Sequence, residues 1–430
     1  MSFADKYLNR YATGQVQALP DPNKNLRLII VIPVCNEPGL LTSLSSLLNA
    51  DPPGSYWEII LVINEPVDCQ REHHEQNLLT IDEVGRFKEN IKREDVQIHM
   101  ICPKAFSRKK AGPGMARKIG MDEAIRRFSH LNRPEGVIVS YDADTTCKVD
   151  YLTELSVFFN NNSGAGGCTL YFEHPVEGDI FEDESHRNAI IQYELYLRYF
   201  KMSLEYMGFP YVSYSLGSAF AFRAMVYVRV GGMGPQQAGE DFYFLQKCLP
   251  HGDFWELNST DVYPSSRVSD RVVFGTGPFI DGFIKSKQVG LEVYPFEIFK
   301  LLKPLFLWIG SLERMPDSLI EVDQVIQNMP DKIRIQIKNQ DWYNKIQLSY
   351  TESAALVPFV KRIYHEINLL QIIHLLNELI AEGFPKLQVG GEFVKMSKEA
   401  FSGEQEGSAL ELLKKARETE KSKGNIQISV

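Results

Sequence analysis

Two uninterrupted apolar runs, LIIVIP from Leu28 to Pro33 and EIILVI from Glu58 to Ile63, constrain this chain more than any other feature. A strand with one wet face alternates apolar and polar residues, whereas a continuous run marks a strand covered by helices on both faces, as in a parallel sheet. Val96 to Ile101 and Val137 to Tyr141 repeat the theme, and the stretches between them suit helices. Gly39 to Ala50 carries leucines at 40, 41, 44, 47 and 48, one apolar stripe at helical spacing, and Asp51-Pro52-Pro53-Gly54 ends it. Further helices are expected over Glu75 to Lys92 and, after the turn Gly112-Pro113-Gly114, over Met115 to Phe128, with further strands at Gly166 to Phe172 and Ser218 to Phe222. This rhythm of βαβ units predicts an α/β fold, a mostly parallel sheet flanked by helices.

The character changes after about Asp281, where Pro358 to Glu382 and Ser408 to Lys421 show helical spacing and strands become rare. The expected division is an N-terminal arm over 1–26, an α/β domain over 27–280 and a mainly helical C-terminal region over 281–430. A net charge of -9 disfavours nucleic acid and anionic bilayers as partners of the whole chain. Six cysteines without CxxC spacing point to reduced thiols and, with an N-terminus lacking an apolar signal core, to the cytoplasm. The tract PLFLWIG, Pro304 to Gly310, is too short to span a bilayer, which needs about 20 residues. It leaves a peripheral membrane contact open, as a homo-oligomer is left open.

Tyr141-Asp142-Ala143-Asp144 follows the strand GVIVS directly, so two carboxylates emerge where open α/β sheets bind ligands, at a strand's carboxyl end. Hard oxygen donors of this kind suit Mg²⁺ or Mn²⁺ carrying a diphosphate. A solvated turn, with an Asp capping the helix that starts near Asp150, explains the same residues more plainly.

Taken with Ile32-Pro33-Val34-Cys35-Asn36-Glu37 at the end of the first strand and Gly239-Glu240-Asp241 further on, the pattern resembles the family 2 glycosyltransferases of the GT-A fold over roughly Arg27 to Gly277. The resemblance implies a sugar transfer from a nucleoside diphosphate sugar, a UDP-sugar ahead of a GDP-sugar, to a saccharide or other hydroxyl acceptor that the sequence does not identify. It also implies that Asp142 and Asp144 hold the metal, that Pro33, Asn36 and Glu37 line the nucleoside pocket, and that Asp241, with Glu240 beside it, is the general base of an inverting reaction. The family's acidic residue after the second strand is replaced by Asn64-Glu65, and Asn64 can still donate to and accept from a base.

Lys109 to Lys118, KKAGPGMARK, matches the family's basic, glycine-containing segment, and Arg117 or Lys118 one turn into the helix could reach a phosphate or the sugar. Arg267 and Arg271 could clamp diphosphate oxygens, or form surface ion pairs with Asp261 and Asp270. No His lies between His251 and His365, so the metal would rely on the two aspartates. The processive QxxRW motif is absent, since Gln246 is followed by Lys247-Cys248-Leu249-Pro250, which favours a distributive enzyme. The tyrosines of Glu173 to Gly208 fit an acceptor groove or a helix packed on the core, and His174 and His186 receive no role. A sugar nucleotidyltransferase and a non-catalytic sugar-nucleotide binder are the alternatives.

Overall fold

The computed structural model describes residues 2–14, 17–108, 110–178, 180–236, 239–251, 253–268, 275–401 and 406–428. It divides into two compact units: Met1–Ile190, Tyr214–Ser286 and Thr419–Gln427 form the first, and Ile191–Ser213, Lys287–Glu418 and Ile428–Val430 the second. The chain passes between the units several times, and the stretch 1–26 belongs to the first.

The first unit alternates strands and helices as the apolar runs demand: α1 Asp5–Arg10, β1 Leu26–Val34, α2 Leu40–Asn49, β2 Tyr56–Ile63, α3 Arg71–Glu89, β3 Val96–Ile101, α4 Pro113–His130 and β4 Val137–Ser140. Then come β5 Thr146–Cys147, α5 Tyr151–Asn161, β6 Ala165–Phe172, the first residues of α6 Glu184–Met207, whose part from Ile191 onward belongs to the second unit, β7 Phe220–Arg223, α7 Ala224–Arg229, α8 Glu240–Cys248, β8 Asp253–Tyr263 and α9 Thr276–Lys285. Residues Leu28 to Ile32 of β1 and Trp57 to Ile63 of β2 are all buried, the signature of strands covered on both faces.

The helical unit holds the pairing β9 Glu292–Val293 with β10 Leu387–Gln388 and the helices α10 Phe296–Gly310, α11 Ile320–Gln327, α12 Asp331–Asn339, α13 Trp342–Thr351, α14 Leu356–Glu366, α15 Leu369–Ala381 and α16 Val389–Phe401. α17 Ala409–Ser422 and β11 Ile426–Ile428 close the chain.

The large sheet has the order β11-β8-β6-β7-β4-β1-β2-β3, with β5 on the margin of β8. β1 runs parallel to β2 and β4, β2 to β3, and β6 to β8, while β7 is antiparallel to both of its neighbours. The α/β class and the mostly parallel sheet match the expectation. The long strand β8 was not anticipated: its sequence DFWELNSTDVY mixes acids and amides into the strand, and its register against β6 shifts between Leu170 and Tyr171. From β1 the chain builds outward through β2 to β3, then returns to place β4 on the other side of β1. That reversal makes a topological switch point between β1 and β4, and sheets of this kind take ligands in the crevice outside the carboxyl ends of the strands there.

The expected N-terminal arm is a docked element. Tyr7 of α1 is buried and its hydroxyl donates to Asp122 Oδ1 of α4 at 2.7 Å, while the Thr13 amide and hydroxyl donate to Asp122 Oδ2 at 2.6 and 3.0 Å. Tyr227 completes the cluster with a 3.0 Å bond to the same carboxylate. Asp122 is fully buried, and these donors offset the cost of burying its charge.

Within the helical unit, Phe306 of α10 stacks against Tyr364 of α14 and meets Trp342 of α13 edge-on. Leu305, Phe306, Trp308 and Ile309 are buried, so most of the PLFLWIG tract is core. Tyr199 is buried too, its hydroxyl donating to the Tyr294 carbonyl at 2.7 Å, which places this tyrosine in packing. Among the described residues no helix is long and apolar enough to cross a membrane.

Candidate active site

The site is built where five segments meet: the ends of β1 and β4, the first turns of α4 and α8, and the loop after β8. β1 leads into Asn36, which takes a left-handed conformation at φ 49 and donates its amide to Asn77 Oδ1 of α3 at 2.8 Å. This turn swings Glu37 inward until it is 2% exposed, with the Gly39 amide on its Oε1 at 2.9 Å. Asn77, itself buried, donates onward to Glu65 Oε2 at 2.9 Å, and His74 meets the other oxygen of Glu65 at 2.8 Å.

β4 delivers Asp142 and Asp144 to the same rim. The buried Tyr141 amide continues the strand by donating to the Val31 carbonyl at 3.1 Å, and the chain then turns, with the Thr145 amide on the Asp142 carbonyl at 3.2 Å. Both carboxylates stay partly exposed, so they border the crevice and are not sealed beneath it. The alternative of a helix cap does not hold for Asp150: its side chain bonds Thr260 Oγ1 at 2.6 Å and Lys148 at 2.7 Å and makes no capping bond to α5.

Arg117, one turn into α4, is buried between two acids: Nη1 donates to Glu240 Oε1 and Nη2 to Asp142 Oδ1. Burial alone would lower its pKa, but Asp142, Glu240 and Asp241 reverse that and hold the guanidinium charged above its ordinary range. Its backdrop is a close approach, since a Cβ at Gly217 would collide with Nη2 and one at Gly114 with the Gln236 carbonyl oxygen. Arg117 therefore ties the DAD turn to the start of α8 by charge-assisted bonds. In this geometry its two Nη atoms are engaged by these carboxylates.

α8 starts after Gly239, which is left-handed at φ 71. Glu240 is buried on Arg117. Asp241 accepts the Phe242 amide at 2.7 Å, which is the ordinary use of an acid in a first helical turn. Its environment is not ordinary: burial, then the Glu240 carboxylate, push its pKa up from 3.8 to about 7, against the pull of Arg117 and the Phe242 amide. A carboxylate poised there can take a proton near neutral pH.

From the loop after β8, Arg267 reaches across to the first two elements. Nη1 donates to Glu37 Oε1 at 2.8 Å, Nη2 contacts Glu37 Oε2, and the same nitrogen lies 2.9 Å from Asp144 Oδ2. Burial opposes its charge, and Glu37 and Asp144 outweigh it, so its pKa too stands above the usual value. Arg267 thus meets acids within the crevice, and Asp261 instead pairs with Lys421 at 3.0 Å. The Nε atoms of Arg117 and Arg267 are both buried without a hydrogen-bond partner.

Other expected residues sit elsewhere. Lys118 lies 3.3 Å from Asp122 Oδ2 and 3.3 Å from the Tyr7 hydroxyl, among the groups that anchor the N-terminal segment. Asn64 is buried and spends its amide on the Gly112 carbonyl at 3.1 Å, bracing the turn into α4. Pro33 lies within β1, paired with Val62. Lys109, Asp270 and Arg271 lie outside the described residues. Asn77 and Gly217 carry no signal in the sequence, because an isolated Asn in a helix, or a Gly in a loop, has no local signature of the partner it meets.

No family model and no curated protein matches this chain. Among solved structures it is similar to S. aureus TarS 1–349 in complex with UDP-GlcNAc, at 12% identity and a TM-score of 0.40, over 80% of this chain and 92% of that one. The same protein in complex with UDP gives 14% identity and a TM-score of 0.37 over 80% and 91%. The S. aureus TarS structure not cut to that segment gives 12% and 0.39 over 79% of this chain and 55% of that one. These likenesses are distant, and the architecture is the one its own strand order defines: a mostly parallel α/β sheet whose switch point between β1 and β4 carries a crevice of paired acids and arginines.

Proposed function

We propose that this chain is an inverting, metal-dependent glycosyltransferase that moves a sugar from a nucleoside diphosphate sugar to an acceptor hydroxyl. One observation carries the reading. The switch-point crevice collects Glu37, Asp142, Asp144, Glu240 and Asp241 around two arginines that each keep a buried, unpartnered Nε. A buried polar group without a partner calls for an explanation, and other such groups occur elsewhere in the chain; for these two, set among carboxylates, an oxygen-rich ligand is the explanation we infer.

The acids outnumber the arginines, so an incoming diphosphate requires additional positive charge. Among the described residues no group of three or more His, Cys, Asp or Glu is placed to hold a metal by itself. Asp142 and Asp144 fit Mg²⁺ or Mn²⁺ as hard oxygen donors if phosphate oxygens and water complete the shell. When bound there, the cation would offset the negative charge of the departing diphosphate.

The chain's own groups do the rest. Glu37 at the end of β1, with Asn36 and Pro33 beside it, offers an acceptor for ribose hydroxyls or a base N–H. Arg267, held between Glu37 and Asp144, stands where it can turn to a phosphate oxygen. Asp241 takes the acceptor hydroxyl's proton as that oxygen bonds to the anomeric carbon, and the bond to the diphosphate oxygen breaks with its electron pair leaving on the nucleoside diphosphate. Arg117 keeps Asp142 and Glu240, and so both halves of the site, in register.

Incubation with a panel of UDP- and GDP-sugars, Mn²⁺ and simple glycoside acceptors tests this. Release of nucleoside diphosphate supports it. Release of pyrophosphate indicates a nucleotidyltransferase, and donor binding without any turnover indicates a binding protein.

A further inference from the structure

We propose that His186, outside the crevice, is the positioning residue that sets Arg267 in place. His186 lies near the start of α6, is 2% exposed, and its Nε2 stands 2.6 Å from the carbonyl oxygen of Ser266, the residue directly before Arg267. A carbonyl can only accept, so Nε2 carries the hydrogen. The Glu182 amide, 3.4 Å from Nδ1, then donates to the ring's other nitrogen. One imidazole thereby joins the segment before α6 to the loop after β8.

The ring is itself fixed. Asp183 Oδ1 accepts the His186 amide at 2.8 Å, and Phe181 packs on the imidazole edge-on at 5.2 Å. The Ser266 hydroxyl adds a second tether, donating to the Pro175 carbonyl at 2.8 Å, and Ser266 is buried. A guanidinium at the end of a long side chain keeps one position only if the backbone that carries it is held, and a misplacement of about 1 Å can cost about 100-fold in function. Ser266 is held from two sides, and Arg267 leaves it to span Glu37 and Asp144.

This inference rests on the transferase reading for its kinetic arm and not for its structural one. In the full chain, His186→Ala is expected to raise the donor KM about tenfold, and His186→Gln, whose amide can still donate to the Ser266 carbonyl, to recover most of that loss. A residue acting through Arg267 adds nothing once Arg267 is removed, so His186→Ala in an Arg267→Ala background is expected to leave the donor KM unchanged. Additive losses, or a wild-type KM in a folded His186→Ala chain, would overturn the proposal. Amide hydrogen exchange needs no ligand: His186→Ala is expected to speed exchange in 264–268 and not in α2. Equal exchange there sinks the proposal, whereas a wild-type chain that binds no nucleoside diphosphate sinks the transferase reading alone.

Discussion

The two ends of the central sheet both carry arginines and glutamates, and they use them differently. At the amino end a cavity of about 330 Å³ is lined by Arg27, Gly54, Glu135, Leu155, Phe159 and Arg223, among others. There Arg223 places Nε on the Ala165 carbonyl, Nη1 on that of Glu135, and Nη2 on those of Phe159 and Asn162, while Arg27 and Glu135 form an exposed pair at 2.8 Å. At the carboxyl end, Arg117 and Arg267 meet carboxylates and each keeps a buried nitrogen without a partner. A satisfied arginine is a staple between loops, and a buried guanidinium nitrogen left without a partner among acids is where we propose that a ligand arrives.

The sharpest way to break this comparison is Asp241→Asn. Transfer should fall by about 10³-fold with donor affinity near wild type, as measured by product formation and by calorimetric titration of nucleoside diphosphate. Wild-type transfer by this variant would remove Asp241 as the base. Next, Asp144→Ala should weaken Mn²⁺-dependent donor binding by at least about 100-fold, a loss visible in the same titration with and without the metal. Should the affinity hold, the metal assignment fails while the arginine arrangement stands.

Gly217→Ala tests the packing behind Arg117. A Cβ there pushes the guanidinium off Asp142 and Glu240, for a loss of about 1–3 kcal/mol in urea unfolding and reduced turnover. A neutral result would mean that the loop yields freely and that Arg117 is not held from behind. The raised pKa of Asp241 gives a smaller, signed effect in the metal-free, donor-free chain. Between pH 3.8 and about 7 the native state keeps a proton that the unfolded chain has released, so stability falls as pH rises through that window. Thermal midpoints of wild type and Asp241→Asn should diverge across it, and parallel curves would contradict the shift. The smallest effect belongs to the amino end: Arg27→Ala should change stability by no more than about 0.5 kcal/mol and leave donor affinity untouched. A loss of donor affinity there would reverse the assignment of the two ends.

Much of this was legible before any coordinates. LIIVIP and EIILVI announced strands buried on both faces, the DAD motif fell just beyond the end of β4, and the acidic pair opened α8 after its glycine. The leucine stripe of α2 fell as expected, at Leu40–Asn49. Other expectations depended on direction. Lys118 is one residue from Arg117 on α4, yet successive positions on a helix point about 100° apart, and Lys118 turned to Asp122 while Arg117 turned to the crevice. Asn64 kept the right position and gave its amide to the backbone.

The sequence by itself determined the strands and helices whose apolar pattern is clear, such as β1, β2, α2 and α8, because periodicity is a local record of the faces that leave water. It could not determine partners. Arg267 meets Glu37 across 230 positions, Arg117 meets Glu240 across 123, and β8 joins β6 although its own pattern is too polar to announce a strand. Such pairings follow from where the sheet places the ends of its strands. Only the tertiary structure, by adding β4 on the other side of β1 from β2 and β3, decided which charges come together in one low-dielectric place.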